Sequence, residues 1–317
     1  MAGYQENSFF KKPAAVVILS MLCILFWGSA ASFIKVGYGA MEIDNGHIPS
    51  LLLFAGIRFT ITGTMILVIF SLLEGRLLLP KGFTDGKRIW ILMFFETMMQ
   101  YVPYYIGLTR TSGTTAAIIH GCNAFTTILV AVILFQSEKM TLRKAAGCVL
   151  GICAVFLMNL TGLRQGVRMS LGGEGLLILA QMGYVIGVNL TKEYGRDSDP
   201  IMLTGWQFVL GGILLAILGK ILGGHLVLNN GKAVGILAYL SIYGAVAYAL
   251  WSILLKNNDV SRIAVYNFFT PICGILFSVI LLGETSQATD PATLGALVLT
   301  FLGIRVSKGK RKKAGTN

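Results

Sequence analysis

Four ionisable side chains fall inside long apolar runs of the sequence: Lys35, Arg58, Glu96 and His120. A charge in such a run is costly unless it is paired, hydrated or used, so each one needs an account. Arg58 lies too deep in its run to reach water easily. It either neutralises an anionic group of a solute, or locks onto backbone carbonyls or onto Glu96 as a structural pair. Glu96 sits near the middle of its run, with Gln100 at i+4 and Pro103 at i+7. On an α-helix that spacing puts all three on one face. A buried carboxylate there can take up and release a proton, unless a fixed pair with Arg58 prevents it. His120 heads a polar stripe with Asn123 and Thr127, and is either a satisfied core residue or a proton carrier. Lys35 lies near the end of its run and is expected to snorkel towards water.

The second half offers aromatic and amide groups instead of charges. Tyr248 and Trp251 follow Gly244 at i+4 and i+7, and Tyr266, Asn267 and Thr270 precede Pro271. Gln181 and Tyr184 fall in the middle of another run, and Trp27 in the first. Such residues can line a cavity that is apolar with a few placed polar groups; for any single aromatic, packing between helices is the simpler role. Gly147-x-x-x-Gly151 and Gly183-x-x-x-Gly187 read as close-packing faces. Glu138 and Glu284 close two runs and read as anchors at helix ends.

The elements that must hold these groups follow from composition. Of 317 residues, 55% are hydrophobic and 13% charged, against about 25% charged in soluble domains. That excludes an ordinary soluble enzyme, a disordered chain and a disulfide scaffold. A helix needs about 20 apolar residues to cross a bilayer. Ten runs qualify, at 14–38, 49–73, 88–109, 114–136, 142–161, 172–192, 200–222, 233–255, 262–283 and 291–306. The expected fold is therefore an all-α polytopic membrane protein with ten transmembrane helices. Continuous apolarity, as in Leu51–Ile57, argues against the alternating pattern of a β-barrel. Lys11 and Lys12 before the first run resemble a signal peptide, but the run continues past its small residues and is expected to stay as a span.

The net charge is +12. With the N-terminus in the cytoplasm, 19 of the 26 basic residues fall on the cytoplasmic side and 5 on the other. Basic residues favour the cytoplasm, so both termini are expected there, in a cytoplasmic membrane. The Lys308–Lys313 run reads as a basic tail near anionic headgroups, and the charge is not read as a nucleic-acid footprint.

The chain also carries an internal repeat. Gly56-Ile57-Arg58-Phe59 to Gly63 and Gly205-Trp206-Gln207-Phe208 to Gly212 both read G-x-[RQ]-F-x-x-x-G. Runs ending in Glu138 and Glu284 correspond, as do Lys35 and Lys192, and Trp27 and Tyr184, all in the same order. Five spans per half would invert the second half relative to the first, the arrangement of secondary carriers with a substrate site near the midplane. The expected layout is an N-terminal segment 1–13, repeats at 14–161 and 172–306 joined by a linker 162–171, and a tail 307–317.

Phe26-Trp27-Gly28-Ser29 with Lys35, the R-F-x-x-x-G segment and the two terminal glutamates together resemble the drug/metabolite transporter superfamily, and within it the ten-span EamA-type branch. The resemblance covers about residues 14–306. It implies two inverted five-helix repeats and the alternating-access export of a small organic metabolite such as an amino acid, with proton coupling in some members. Drugs and anionic or phosphorylated metabolites are the alternative loads, and a channel or a membrane-embedded enzyme is the lesser alternative to a carrier. One departure stands out: Pro271, thirteen residues before Glu284, has Phe125 as its counterpart before Glu138.

No enzymatic activity, cofactor or metal is expected. There is no HExxH, no pair of intramembrane aspartates and no P-loop. The cysteines show no CxxC spacing. The expected partners are lipid, a small solute and protons; monomer and homodimer both fit.

Overall fold

The computed structural model describes residues 8–44, 46–121, 123–136, 139–164 and 170–308. Glu138, Cys122 and the end of the basic tail lie outside the described residues. Among the described residues the regular structure is helical throughout. The main helices are α1 (Pro13–Ala40), α2 (Ile48–Glu74), α3 (Gly82–Leu92), α4 (Gln100–Leu108), α5 (Gly113–Gly121), α6 (Asn123–Ile133) and α7 (Leu142–Arg164). They are followed by α8 (Leu176–Tyr194), α9 (Pro200–Ile221), α10 (Gly231–Asn257), α11 (Val260–Ala264), α12 (Thr270–Leu282), α13 (Thr285–Ala288) and α14 (Pro291–Lys308). Five helical stretches are long and apolar enough to cross a membrane: Pro13–Ala40, Ile48–Glu74, Leu171–Tyr194, Pro200–Ile221 and Gly231–Asn257. Shorter apolar helices, among them α12 and the first part of α14, accompany them. Apolar side chains such as Leu72, Ile221 and Ile280 face outward, as an integral multi-pass membrane protein requires.

Local chemistry sets the helix ends. Proline opens α1, α2 and α9, where its missing N–H costs nothing. Asp199 caps α9 by accepting from the Ile201 and Met202 amides, and Asn230 caps α10 through the Ala233 amide. Gly75 ends α2 at φ +63° and Gly283 ends α12 at φ +70°, a conformation that favours glycine.

Two interruptions lie within apolar runs. Between α3 and α4 the chain winds as a π-helix over Met93–Met99, just before Pro103. Proline cannot donate to the carbonyl four residues back, here Met99, and its ring pushes that carbonyl away, so the widened turn falls where the ladder is broken. Val265–Phe269 is likewise a 3₁₀ turn ahead of Pro271. Helix also begins earlier than the apolar run suggests before Glu96, at Gly82 in place of 88.

The closest helix crossing is α2 against α9. A Cβ on Gly56 would strike the backbone of Ala216 and Gly212, and one on Gly212 would strike Thr60 and Gly56. A Cβ on Gly63 would meet Gly205 O and Val209. These are glycines of the two G-x-[RQ]-F-x-x-x-G segments; Gly56, Gly63 and Gly212 pack on backbone of the other helix, and Gly205 faces the Leu67 side chain. Between them Phe59 and Phe208 stack, ring centroids 5.2 Å apart and planes within 7°. Loops pin both ends of this pair. On the face where the chain starts, Arg76 pairs with Asp199 at 2.9 Å and Arg88 with Asp197 at 3.0 Å, while Asp85 accepts from the Ser198 hydroxyl. On the opposite face Val227 N donates to Met41 O and Asn230 Nδ2 to Ala40 O.

Elsewhere, Phe125 sits against α7 and α14 in a hollow that Cβ atoms on Gly151 and Gly303 would close. The ring that replaces a helix-breaking proline at this position is thus a packing element. Gly212→Val should drive a branched side chain into α2 and cost at least the ~1–3 kcal/mol typical of overpacking, read as a lower melting temperature in detergent. Gly39→Ala, where a Cβ meets nothing within 4 Å, should leave that temperature nearly unchanged.

Candidate functional site: a buried cavity around Arg58

Arg58 leaves α2 beside the stacked phenylalanines and is 1% exposed. Its Nη1 donates to the Tyr105 hydroxyl at 2.7 Å, its Nη2 to the Tyr243 hydroxyl at 2.9 Å and its Nε to Leu240 O at 3.3 Å. The guanidinium carbon also lies 4.8 Å from the Phe59 ring centroid and 5.3 Å from that of Tyr243. All these groups are formally neutral, and a guanidinium has five N–H donors, so two remain. Among the described residues Arg58 has no carboxylate partner.

The ion pair with Glu96 left open by the sequence is therefore not formed. Glu96 faces the other way, accepting from Thr191 Oγ1 at 2.9 Å and from Gln207 Nε2 at 3.2 Å. Gly187 makes room for it: a Cβ there would collide with the Glu96 side chain. Gly183 admits the π-helical backbone in the same way. Because Glu96 lies within that π-helix, the α-helical spacing to Gln100 and Pro103 does not carry through. Glu96 and Gln100 still line one cavity, whereas Pro103 does not.

Two small cavities occupy the centre. One, of about 40 Å³, is lined by Trp27, Arg58, Gln100, His120, Gln181, Tyr184, Tyr243, Tyr248 and Thr270, among others. The second, about 20 Å³, reaches towards the face where the chain starts and is lined by Glu96, Thr191, Thr204, Phe208, Trp251 and Ser252, among others. Trp27, Gln100, Tyr184 and Tyr248 border both. A water needs roughly 10–15 Å³ on this measure, so the first cavity has room for a few waters and is too small for a larger solute. Trp27 forms the partition: its ring lies 4.7 Å from Trp251, 5.7 Å from Tyr248 and 6.2 Å from Tyr184.

Four buried polar atoms of residues lining the first cavity make no hydrogen bond: Trp27 Nε1, His120 Nε2, Gln181 Oε1 and Thr270 Oγ1. Asn123 approaches the other ring nitrogen of His120 at 3.4 Å. Asn123 and Thr127 continue into the core and do not line the cavity, so the stripe read from sequence divides after His120. Asn267 is buried and donates to the Tyr184 hydroxyl at 3.4 Å, acting behind the lining. Pro271 is also behind it, and the neighbouring Thr270 takes its place at the wall. Trp251 borders only the second cavity.

Lys35 does not snorkel freely but pairs with Glu284 at 3.7 Å. Glu284 also accepts from the Gly113 amide at 3.2 Å and bonds the Ser278 hydroxyl. This clasp ties α1, α5 and α12 together at the face opposite the N-terminus. A polar cleft of about 210 Å³ at the other face, lined by Arg76, Lys81, Asp85, Arg196 and Asp197, among others, contains the charges that pin the loops of α2 and α9.

Sequence reading missed Tyr105, Tyr243, Thr191 and Gln207 as partners of the two buried charges. Only Gln207 had a signal, since it occupies the place of Arg58 in the second G-x-[RQ]-F segment.

A multi-pass membrane protein with a central cavity that is mostly apolar and carries a few placed polar groups has the build of a small-molecule transporter rather than of an enzyme. The EamA-like transporter family model matches residues 14–160 and again residues 171–307, and the chain belongs to that family. It is similar to a WAT1-related chloroplastic protein of Arabidopsis thaliana, 28% identical over 269 residues, which is 82% of this chain and 62% of that protein. It also resembles a probable amino-acid metabolite efflux pump of Salmonella typhimurium, 23% identical over 92% of this chain and 97% of that one. A crystal structure matches with a TM-score of 0.68 at 19% identity, covering 93% of this chain and 97% of the other, a likeness in fold.

Tyr243→Phe would leave a further guanidinium N–H buried without a partner. The expected cost is about 1–3 kcal/mol, seen as a lower melting temperature of the purified protein.

Proposed function

We propose that the chain is a secondary carrier of ten spans, arranged as two inverted five-helix repeats, that moves a small organic metabolite bearing a carboxylate out of the cell by alternating access. The observation that carries this reading is Arg58: a fully buried guanidinium held by neutral partners, with donors to spare, at the wall of a central cavity. A buried charge without a counter-ion is costly, and an incoming carboxylate would supply one in bidentate geometry. His120 Nε2, Gln181 Oε1 and Thr270 Oγ1 are free to bond the rest of the solute, and the aromatic partition of Trp27, Tyr184, Tyr248 and Trp251 would cover its apolar or cationic part. An amino acid fits this set. A phosphorylated solute fits less well, since Arg58 is the one Lys or Arg among the described lining residues.

Several contacts support the inverted repeat. Phe59 stacks on its counterpart Phe208. Arg58 of α2 reaches Tyr243 of α10, and its counterpart Gln207 of α9 reaches Glu96, in the π-helix between α3 and α4. The family model, too, matches the chain once in each half. Both termini lie in the cytoplasm on this reading, from the asymmetry of the basic residues. The α2–α9 crossing is then the fixed scaffold, and the Lys35–Glu284 clasp closes the outer side.

Glu96 is the proton site of the cycle: partly buried, without a basic partner among the described residues, and one cavity away from Arg58. Reconstituted protein carrying Glu96→Gln should fold normally yet lose the pH dependence of transport. An unchanged pH profile would move the proton role elsewhere. Arg58→Gln should raise the KM for a carboxylate substrate at least tenfold while Lys35→Ala leaves it within a few-fold, measured as uptake into proteoliposomes.

A further inference from the structure

Two of the three histidines of the chain meet at the face opposite the N-terminus, although 178 positions separate them. His47 ends the α1–α2 connection and His225 lies in the α9–α10 connection. Their ring centroids are 5.2 Å apart and their planes inclined by 42°. The geometry points to a two-histidine site for a divalent transition metal, of the zinc, cobalt or nickel type, that bridges these two loops.

The spacing fits a shared tetrahedral ion. A zinc–nitrogen bond of about 2.05 Å plus about 1.15 Å from nitrogen to ring centre puts each centroid about 3.2 Å from the metal, and two such ligands at the tetrahedral angle stand about 5.2 Å apart. The pair is also built rather than accidental. Ser50 Oγ lies 2.9 Å from His47 Nδ1 and accepts the His225 amide at 3.0 Å, so one buried hydroxyl fixes both loops. A histidine that donates its Nδ1–H to such a group keeps Nε2 for a metal, the usual supporting arrangement around a metal ligand. The His225 ring is exposed and that of His47 half-buried, which leaves the site open to ions from the medium. Exposed Glu42 and Asp44 on the first loop add negative charge to the surroundings. Among the described residues no group of three or more metal-ligating side chains forms, so two coordination positions are left to water and the ion exchanges readily.

Binding here would join the loops at the outer ends of α2 and α9. It is separate from the central cavity and does not depend on the transport reading. The test uses the full chain purified without a polyhistidine tag and stripped with a chelator. Cobalt(II) titration should give saturable visible d–d absorption of tetrahedral intensity, displaced by zinc, and zinc but not magnesium should raise the melting temperature. His225→Gln, a change at an exposed ring, should abolish both effects without shifting the metal-free melting temperature. His47→Gln should abolish them too, and Ser50→Ala should weaken binding about tenfold. Saturable binding that persists in His225→Gln, or no saturable response in the unaltered protein, overturns the site.

Discussion

The structure depends on the close crossing of α2 and α9. Gly56, Gly63 and Gly212 let two helix backbones touch where any larger residue would hold them apart, and Gly205 makes room for the Leu67 side chain. In a membrane there is little hydrophobic drive between helices, so close packing of this kind has to supply the adhesion. The same eight-residue pattern that brings the backbones together also sets a polar and an aromatic side chain between its two glycines. The aromatics stack on each other across the crossing. The polar side chains, Arg58 and Gln207, are thereby pushed off it in different directions, each towards a group on the far side of the bundle.

This explains why the two buried charges are apart. Arg58 and Glu96 are the natural ion pair of the sequence, and pairing would have cancelled both. Instead each is surrounded by neutral hydroxyl and amide groups. Neutral partners satisfy hydrogen-bonding geometry but leave the net charge in place, so each group still lacks a counter-ion among the described residues. The π-helix Met93–Met99 serves the same separation, since it carries Glu96 to the α8–α9 side, where Gly187 receives it.

Much of the helical architecture was legible in the sequence because membrane-length apolar runs leave few alternatives, and the capping residues are local. The G-x-[RQ]-F segments were legible as a repeat, and their meaning as a mutual packing surface follows once they face each other. The partners of Arg58 were not legible. Tyr105 and Tyr243 are 47 and 185 positions away, and nothing in their own neighbourhoods marks them out from packing tyrosines. The one-face reading of Glu96, Gln100 and Pro103 failed because Pro103 widens the turn before it. Asn123 and Pro271 were placed one layer too close to the cavity, since periodicity gives a face of a helix but not the depth of its neighbours. The approach of His47 to His225 is tertiary altogether.

The central claim is that the buried guanidinium of Arg58 receives the anionic group of the transported solute. An experimental structure of the chain with bound solute, at a resolution that orients it, tests this most directly. The account predicts the solute carboxylate within hydrogen-bonding distance of Arg58, in a cavity grown from the present 40 Å³. A solute bound elsewhere, with Arg58 still engaged only by Tyr105, Tyr243 and Leu240, would contradict it.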